Sequence, residues 1–162
     1  VRDAIRALCN ARRQGLAQHV GVSNFTVALL REAVAVSSEP LVANQCEYHP
    51  YLDQDPVLAA CREPGLAFTS YSPLGKGVIL NDPVIRDIAA RHGRTPGQVV
   101  LRWHVQQPGV VAIPKSGNAS RIRENLDVFG FSLEADEMAR ISGLRRPDGR
   151  MIAPSWSPPW DT

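Results

Sequence analysis

Polar side chains follow four short apolar segments of the chain, each at the point where a segment ends. In chain order they are Ser23 and Asn24, Gln45, Tyr71 and Ser72, and Lys115 and Ser116. Four successive segments that end in amide, hydroxyl, aromatic and cationic groups suggest one planar polar ligand that carries a phosphate.

Each residue type suits one part of such a ligand. The side-chain amides of Asn24 and Gln45 offer paired donors and acceptors to a carboxamide. Tyr71 can stack on an aromatic ring. Lys115, the serine after it and Arg121 can hold a phosphate beside a helix N-terminus.

Ordinary structural roles compete with this interpretation. A Ser-Asn pair after a strand usually forms a turn with a helix cap. A lone Gln at a strand end is more often a solvated loop residue, and Tyr71 is more often a packing residue. Only the ordered set favours a ligand site.

Four short apolar strands alternate with amphipathic helices, and these elements must position the polar groups. The predicted strands are residues 18–22, 41–45, 66–71 and 110–114. The predicted helices are residues 1–13, 26–36, 55–62, 83 to about 93, one from 95, 119–126 and 133–141. This alternation predicts parallel βα units and therefore an α/β fold.

The sequence contains neither GxGxxG nor GxxxxGK[ST], the fingerprints of doubly wound and P-loop nucleotide sites. We therefore expect a (β/α)8 TIM barrel, which needs eight strands and roughly 250 residues. Only half of one, about four βα units, is present. We expect residues 1–162 to form one domain with an irregular tail from about residue 145.

Composition argues against several other classes of protein. A net charge of +2 calls for no nucleic-acid or membrane partner, and no apolar run is long enough for a membrane helix. The three widely spaced cysteines predict no disulfide framework and no metal site, and they suit a reducing cytoplasm. A start at Val1, without an initiator Met, suggests that the protein is longer.

Five blocks occur in an order that resembles the aldo-keto reductase family over essentially the whole chain. They are residues 21–25 (GVSNF), 44–50 (NQCEYHP), 70–75 (SYSPLG), 113–116 (IPKS) and 121–129 (RIRENLDVF). The tail, residues 149–161, resembles bacterial members of the 2,5-diketo-D-gluconate (methylglyoxal) reductase type. The resemblance identifies the chain as the C-terminal half of such a barrel.

The resemblance implies an NADPH-dependent oxidoreductase that reduces a small aldehyde or ketone to an alcohol. Ser23, Asn24 and Gln45 would hold the nicotinamide carboxamide, and Tyr71 would stack on the nicotinamide ring. By the same resemblance, Ser72 and Leu74 would line the pyrophosphate path. Lys115, Ser116 and Arg121 would bind the 2′-phosphate. The residues around the adenine end would be Asn118, Glu124 and Asn125.

Members of the family also share a catalytic Asp, Tyr, Lys and His set in the first half of the barrel. No block of this chain matches that set, so we nominate no catalytic residue and expect the chain alone to be inactive. His49 and His104 are predicted to be structural.

Two alternatives remain open at this stage. The chain could belong to a non-catalytic NADPH-binding or sensor module of the same fold, or to an unrelated (β/α) domain that binds a phosphorylated sugar. The sequence does not predict the substrate or the oligomeric state.

Overall fold

A computed structural model describes residues 1–161, so Thr162, the last residue of the predicted domain, lies outside the described part. The described residues divide into two compact units. Unit 1 comprises residues 1–46, 54–69 and 154–161, and unit 2 comprises residues 47–53 and 70–153. The assignment of all residues to one domain stays a prediction.

Four strands, β1 (Val20–Ser23), β2 (Leu41–Glu47), β3 (Ala67–Tyr71) and β4 (Val110–Ala112), form one sheet in the order β1-β2-β3-β4. Strands β1 and β2 pair in parallel. This confirms the predicted α/β fold with a parallel sheet. Strand β2 runs two residues beyond its predicted end, whereas β4 is two residues shorter than predicted.

Seven α-helices lie in the described part of the chain, and all were predicted, two of them with the observed bounds. They are α1 (Arg2–Arg13), α2 (Val27–Val36), α3 (Asp55–Arg62), α4 (Pro83–His92), α5 (Pro96–Val105), α6 (Ala119–Leu126) and α7 (Ala135–Ser142). Residues Gly75–Asn81, which belong to no predicted strand or helix, form a 3₁₀ segment with a kink at Lys76 and Gly77.

Local capping explains where several helices begin. Thr26, Asp82 and Asn118 each accept hydrogen bonds from the free amides of the first turn. At Thr95 the hydroxyl accepts from the Gln98 backbone amide, while the Gln98 side chain accepts from the Thr95 backbone amide, so the two residues form a capping box at the start of α5.

The core of unit 1 includes only some of the apolar residues of its helices. In α1, Ile5 and Cys9 are buried, while Val1 is 43% exposed. In α2, Leu30 and Ala33 are buried but Val34 is exposed. Each helix therefore buries a narrower face than its apolar composition suggested.

The core of unit 2 is built around α5, where Val99, Val100 and Trp103 are buried. The ring of Tyr48 packs 5.0 Å from that of Trp103, and the Tyr48 hydroxyl donates to Gln107 Oε1 at 2.9 Å. Apolar contact and satisfied polar ends thus hold this part of unit 2 together.

An irregularity in the pairing of β1 with β2 sets which side chains meet at the strand ends. Val20 lies opposite Leu41, but Val22 lies opposite Asn44, so β2 contributes one extra residue. Gly21 lies at this position, where an added Cβ would approach Ala43 O to 2.8 Å. Without a side chain, the two backbones can approach closely.

Among residues 1–161, no helix is both long and apolar enough to cross a bilayer.

Candidate functional site

Unit 1 brings together the three residues predicted to grip a carboxamide. Because of the extra residue in β2, Ser23 lies directly opposite Gln45. The Ser23 hydroxyl donates to the backbone carbonyl of Gln45 at 3.0 Å, and the backbone amide of Asn24 donates to the same carbonyl at 2.8 Å. The side chains of Asn24 and Gln45 are half-buried, which leaves both accessible to a ligand.

The backbone of Asn24 is left-handed, with φ of 58°, a conformation that Asn tolerates better than most residues. The neighbouring Asn44 is fully buried and clamps the next residue: its Nδ2 donates to Phe25 O at 2.9 Å, and its Oδ1 accepts from Phe25 N at 3.4 Å. Sequence reasoning missed Asn44, although it stands beside Gln45. The clamp holds the loop that carries Ser23 and Asn24.

Unit 2 contains a cavity of about 630 Å³, within the size range of small-molecule and cofactor sites. Seven of the residues that were predicted to bind the phosphates and the adenine end line it. They are Ser72, Leu74, Lys115, Ser116, Arg121, Glu124 and Asn125. The structure therefore collects most of this predicted set around one hollow.

The wall of this cavity is rich in cations that the protein does not neutralise. Lys115 and Arg121 are exposed, and neither makes an ion pair with any residue between 1 and 161. Lys76 also lines the cavity, and its ammonium donates to Met151 O at 3.3 Å. Glu124 is the single carboxylate in the lining. An anionic ligand would be favoured here.

Two predicted residues of unit 2 have other surroundings. Asn118 does not line the cavity; its Oδ1 accepts from the amides of Ser120 at 2.9 Å and Arg121 at 3.1 Å, so it caps α6. Tyr71 is half-buried and lies outside the cavity lining, and its carbonyl accepts from the Tyr48 amide at 3.3 Å.

The remaining ten lining residues were not predicted as site residues, and Lys76, Thr95 and Gly97 are among them. Thr95 was predicted only as the start of a helix. Its hydroxyl also donates to Glu124 Oε1 at 2.6 Å, a contact between residues 29 apart in the chain. Nothing in the local sequence signals such a contact. Lys76 lies between two glycines, and no ligand role was predicted for it.

Glu47 is fully buried and holds the first part of the tail. Its carboxylate accepts from Met151 N at 2.7 Å and Ile152 N at 3.0 Å, and His49 Nε2 lies 3.0 Å from Oε1. Burial opposes ionisation of Glu47, but these hydrogen bonds outweigh it and hold its pKa below the ordinary value. His49 is thus a partner of a structural carboxylate.

Two other buried groups are unsuited to acid–base or nucleophilic chemistry. Burial lowers the pKa of His104 to about 4, against the opposing effect of the carbonyls of Val100 and Tyr48. Burial raises the pKa of the Cys61 thiol to about 11, with a contact to Asn44 acting in the opposite direction. At neutral pH His104 is therefore uncharged and Cys61 is a protonated, weakly nucleophilic thiol.

Comparison with known proteins gives a consistent set of matches. The sequence profile of the Aldo/keto reductase family matches residues 1–146. The chain is 43% identical over 145 residues to 2,5-diketo-D-gluconic acid reductase B of Corynebacterium sp. (strain SHS752001), covering 89% of this chain and 52% of that protein. It is 37% identical to methylglyoxal reductase DkgB of Escherichia coli O157:H7, and the match covers 99% of this chain and 60% of that protein.

A crystal structure of a Gox0644 mutant in complex with NADPH superposes with a TM-score of 0.86 at 43% identity, over 92% of this chain and 55% of that one. The chain spans about half the length of the curated relatives it matches. The names of these relatives are those of reductases, so they do not support the alternative of a non-catalytic sensor module.

Proposed function

Because the chain belongs to the aldo/keto reductase family, we propose that it binds NADPH as part of an enzyme that reduces aldehydes and ketones to alcohols. Family membership excludes the alternative of an unrelated domain for phosphorylated sugars. NADPH, when bound, supplies the hydride, and the protein supplies binding and orientation.

The observation that carries the proposal is the pair of unneutralised cations on the cavity wall of unit 2. In this proposal Lys115, Ser116 and Arg121 bind the 2′-phosphate, because two cations near a phosphate form strong charge-assisted hydrogen bonds. Ser72 and Leu74 line the pyrophosphate path, and Glu124 and Asn125 contact the adenine end. Asn118 contributes by capping the helix that carries Arg121.

In unit 1, Ser23, Asn24 and Gln45 bind the nicotinamide carboxamide. The close pairing of Ser23 with Gln45 and the fixed loop around Asn24 support this assignment, because a backbone that is already ordered loses little freedom when a ligand binds. Tyr71 stacks on the nicotinamide ring and selects which face delivers the hydride.

The chain forms the C-terminal half of a (β/α)8 barrel in this proposal, and it supplies the cofactor-binding residues. Support comes from the four-stranded sheet and from the match to about half of each relative. None of the chain's own residues is assigned a catalytic role. Relatives named for 2,5-diketo-D-gluconic acid and methylglyoxal favour a small carbonyl compound as the substrate.

A pair of arginines on α6 tests the proposal. R121Q removes a cation from the cavity wall, whereas R123Q removes an exposed arginine of the same helix that does not line the cavity. We expect R121Q to weaken NADPH binding by about tenfold or more and NADH binding by less than about twofold. R123Q should leave both nearly unchanged. Quenching of tryptophan fluorescence measures the dissociation constants.

If R121Q weakened the binding of NADPH and of NADH equally, the assignment of Arg121 to the 2′-phosphate would be wrong. Failure of the unaltered chain to bind NADPH at all would remove the proposal itself.

A further inference from the structure

The hydroxyl of Thr95 makes two hydrogen bonds that serve different elements. As the cap of α5 it accepts from the Gln98 amide at 3.2 Å. The same hydroxyl donates a hydrogen bond to Glu124 Oε1, 2.6 Å away on α6. A hydroxyl has one proton and two lone pairs, so the cap uses an acceptor site and Glu124 takes the only donor.

The backbone of α6 is held at the same place. Gln98 is buried, and its Nε2 donates to the carbonyls of Asp127 at 2.9 Å and Glu124 at 3.3 Å. Both the main chain of Glu124 and one of its carboxylate oxygens are therefore fixed from the N-terminal turn of α5.

The second carboxylate oxygen of Glu124, Oε2, accepts no hydrogen bond from any residue between 1 and 161. Glu124 and Thr95 both line the cavity. A carboxylate oxygen can only accept hydrogen bonds, so it favours a ligand that presents an N–H group and disfavours one that presents a carbonyl.

From this geometry we propose that Thr95 is a positioning residue: by donating to Oε1, it holds Glu124 so that Oε2 selects a base with an exocyclic amino group. The inference rests on the proposed function, in which Glu124 lies at the adenine end of NADPH. Without the Thr95 donor, the Glu124 side chain gains rotamer freedom and the selection weakens.

Two substitutions of Thr95 whose new side chains are isosteric with each other separate this role from helix capping. Asn and Asp both cap helices as well as Thr does, so T95N and T95D should both preserve the start of α5. The amide of T95N can still donate to Glu124, whereas the carboxylate of T95D cannot. NADPH and its reduced hypoxanthine analogue, which has a carbonyl in place of the amino group, are the two probes.

We expect T95N to bind NADPH nearly as the unaltered chain does, and T95D to bind it about tenfold more weakly. The preference for NADPH over the hypoxanthine analogue should persist in T95N and shrink in T95D. Urea unfolding of both variants should show similar stability. Equal affinities and equal preferences in T95N and T95D would overturn the proposal.

The added charge of T95D is controlled by a second background. In the double variant T95D/E124Q the amide of E124Q can donate to the T95D carboxylate, and the net charge equals that of the unaltered chain. If Thr95 acts through Glu124, the loss of NADPH affinity that T95D causes should be smaller in the E124Q background than in the unaltered chain. An identical cost in both backgrounds would assign the effect to charge alone and overturn the proposal.

The outcomes also separate the two proposals. If the unaltered chain binds NADPH but T95N and T95D behave alike, only the role of Thr95 fails. If the unaltered chain does not bind NADPH, the proposed function fails first.

Discussion

Two adjacent amides on β2 have opposite surroundings, and the difference predicts different effects on mutation. Asn44 is fully buried and pairs with both polar groups of Phe25, while Gln45 is half-buried near Ser23. We expect N44A to lower the free energy of unfolding by about 2 kcal/mol, because it removes both hydrogen bonds to the Phe25 backbone and empties a fully buried side-chain site. Urea denaturation measures this.

Q45A is the matched control for N44A. It removes a neighbouring amide that no buried group depends on, so stability should change by less than about 0.5 kcal/mol while NADPH binding weakens. A larger loss of stability in Q45A than in N44A would contradict the assigned roles.

The buried imidazole of His104 predicts a pH dependence of stability. Burial lowers its pKa from 6.5 to about 4 in the folded chain, so the unfolded chain takes up the proton more readily. Stability should therefore fall as the pH is lowered from 6.5 towards 4, by up to about 3 kcal/mol. Glu47, whose pKa is lowered from 4.5, loses its stabilising effect only at more acidic pH.

Urea unfolding at several pH values, compared with H104Q, isolates this contribution. Gln remains uncharged throughout, so H104Q should lose less stability than the unaltered chain between neutral and mildly acidic pH. Parallel pH profiles for the two proteins would show that His104 does not cause the loss.

At the level of elements, the extra residue in β2 decides which side chains face each other at the ends of β1 and β2. Without it, regular pairing from Val20 and Leu41 would place Asn44, and not Gln45, opposite Ser23. Gly21 permits the close approach of the two strands at this irregularity. The pairing of Ser23 with Gln45 therefore depends on a residue that touches no predicted ligand.

We expect G21A to lower the free energy of unfolding by about 1–3 kcal/mol, because its Cβ would lie 2.8 Å from Ala43 O and the backbone must shift. The comparison is G117A, where an added Cβ meets no atom within 4 Å and the change should stay within about 0.5 kcal/mol. Thermal or urea unfolding checks both, and equal effects would mean that the strand approach is not tight.

Helix bounds were predictable because they depend on neighbouring residues. Asp55–Arg62 and Ala119–Leu126 have the predicted bounds, although Gln54 and not Asp55 occupies the N-cap position of the first of them. Burial of individual helix faces was less predictable: Val34 is as apolar as its neighbours in α2, but it remains exposed. Which face is covered depends on elements elsewhere in the chain.

At the scale of the whole molecule, the family prediction is confirmed by the match over residues 1–146 and by relatives named as 2,5-diketo-D-gluconic acid and methylglyoxal reductases. Five short blocks in order were sufficient for this assignment. The placement of one NADPH across all four strand ends stays a prediction.

The chain alone should bind NADPH without turnover. No residue of residues 1–162 has been assigned to protonate a carbonyl, so we expect tryptophan quenching by NADPH but no loss of NADPH absorbance when methylglyoxal is added. Sustained oxidation of NADPH by the purified chain would show that it contains a catalytic group that has escaped assignment. The R121Q variant serves as the control: quenching that reports binding at the cavity should weaken in R121Q, whereas non-specific quenching should not change.

The sequence by itself determined the family, the alternation of strands and helices, and the helix starts at Thr26, Asp82 and Thr95, because each depends on residues close together in the chain. Only the tertiary structure decided the clamp of Asn44 on Phe25, the pairing of Ser23 with Gln45 and the contact of Thr95 with Glu124. These contacts join residues about 20 to 30 positions apart, and local propensity carries no information about which distant groups the packed backbone brings within hydrogen-bonding distance.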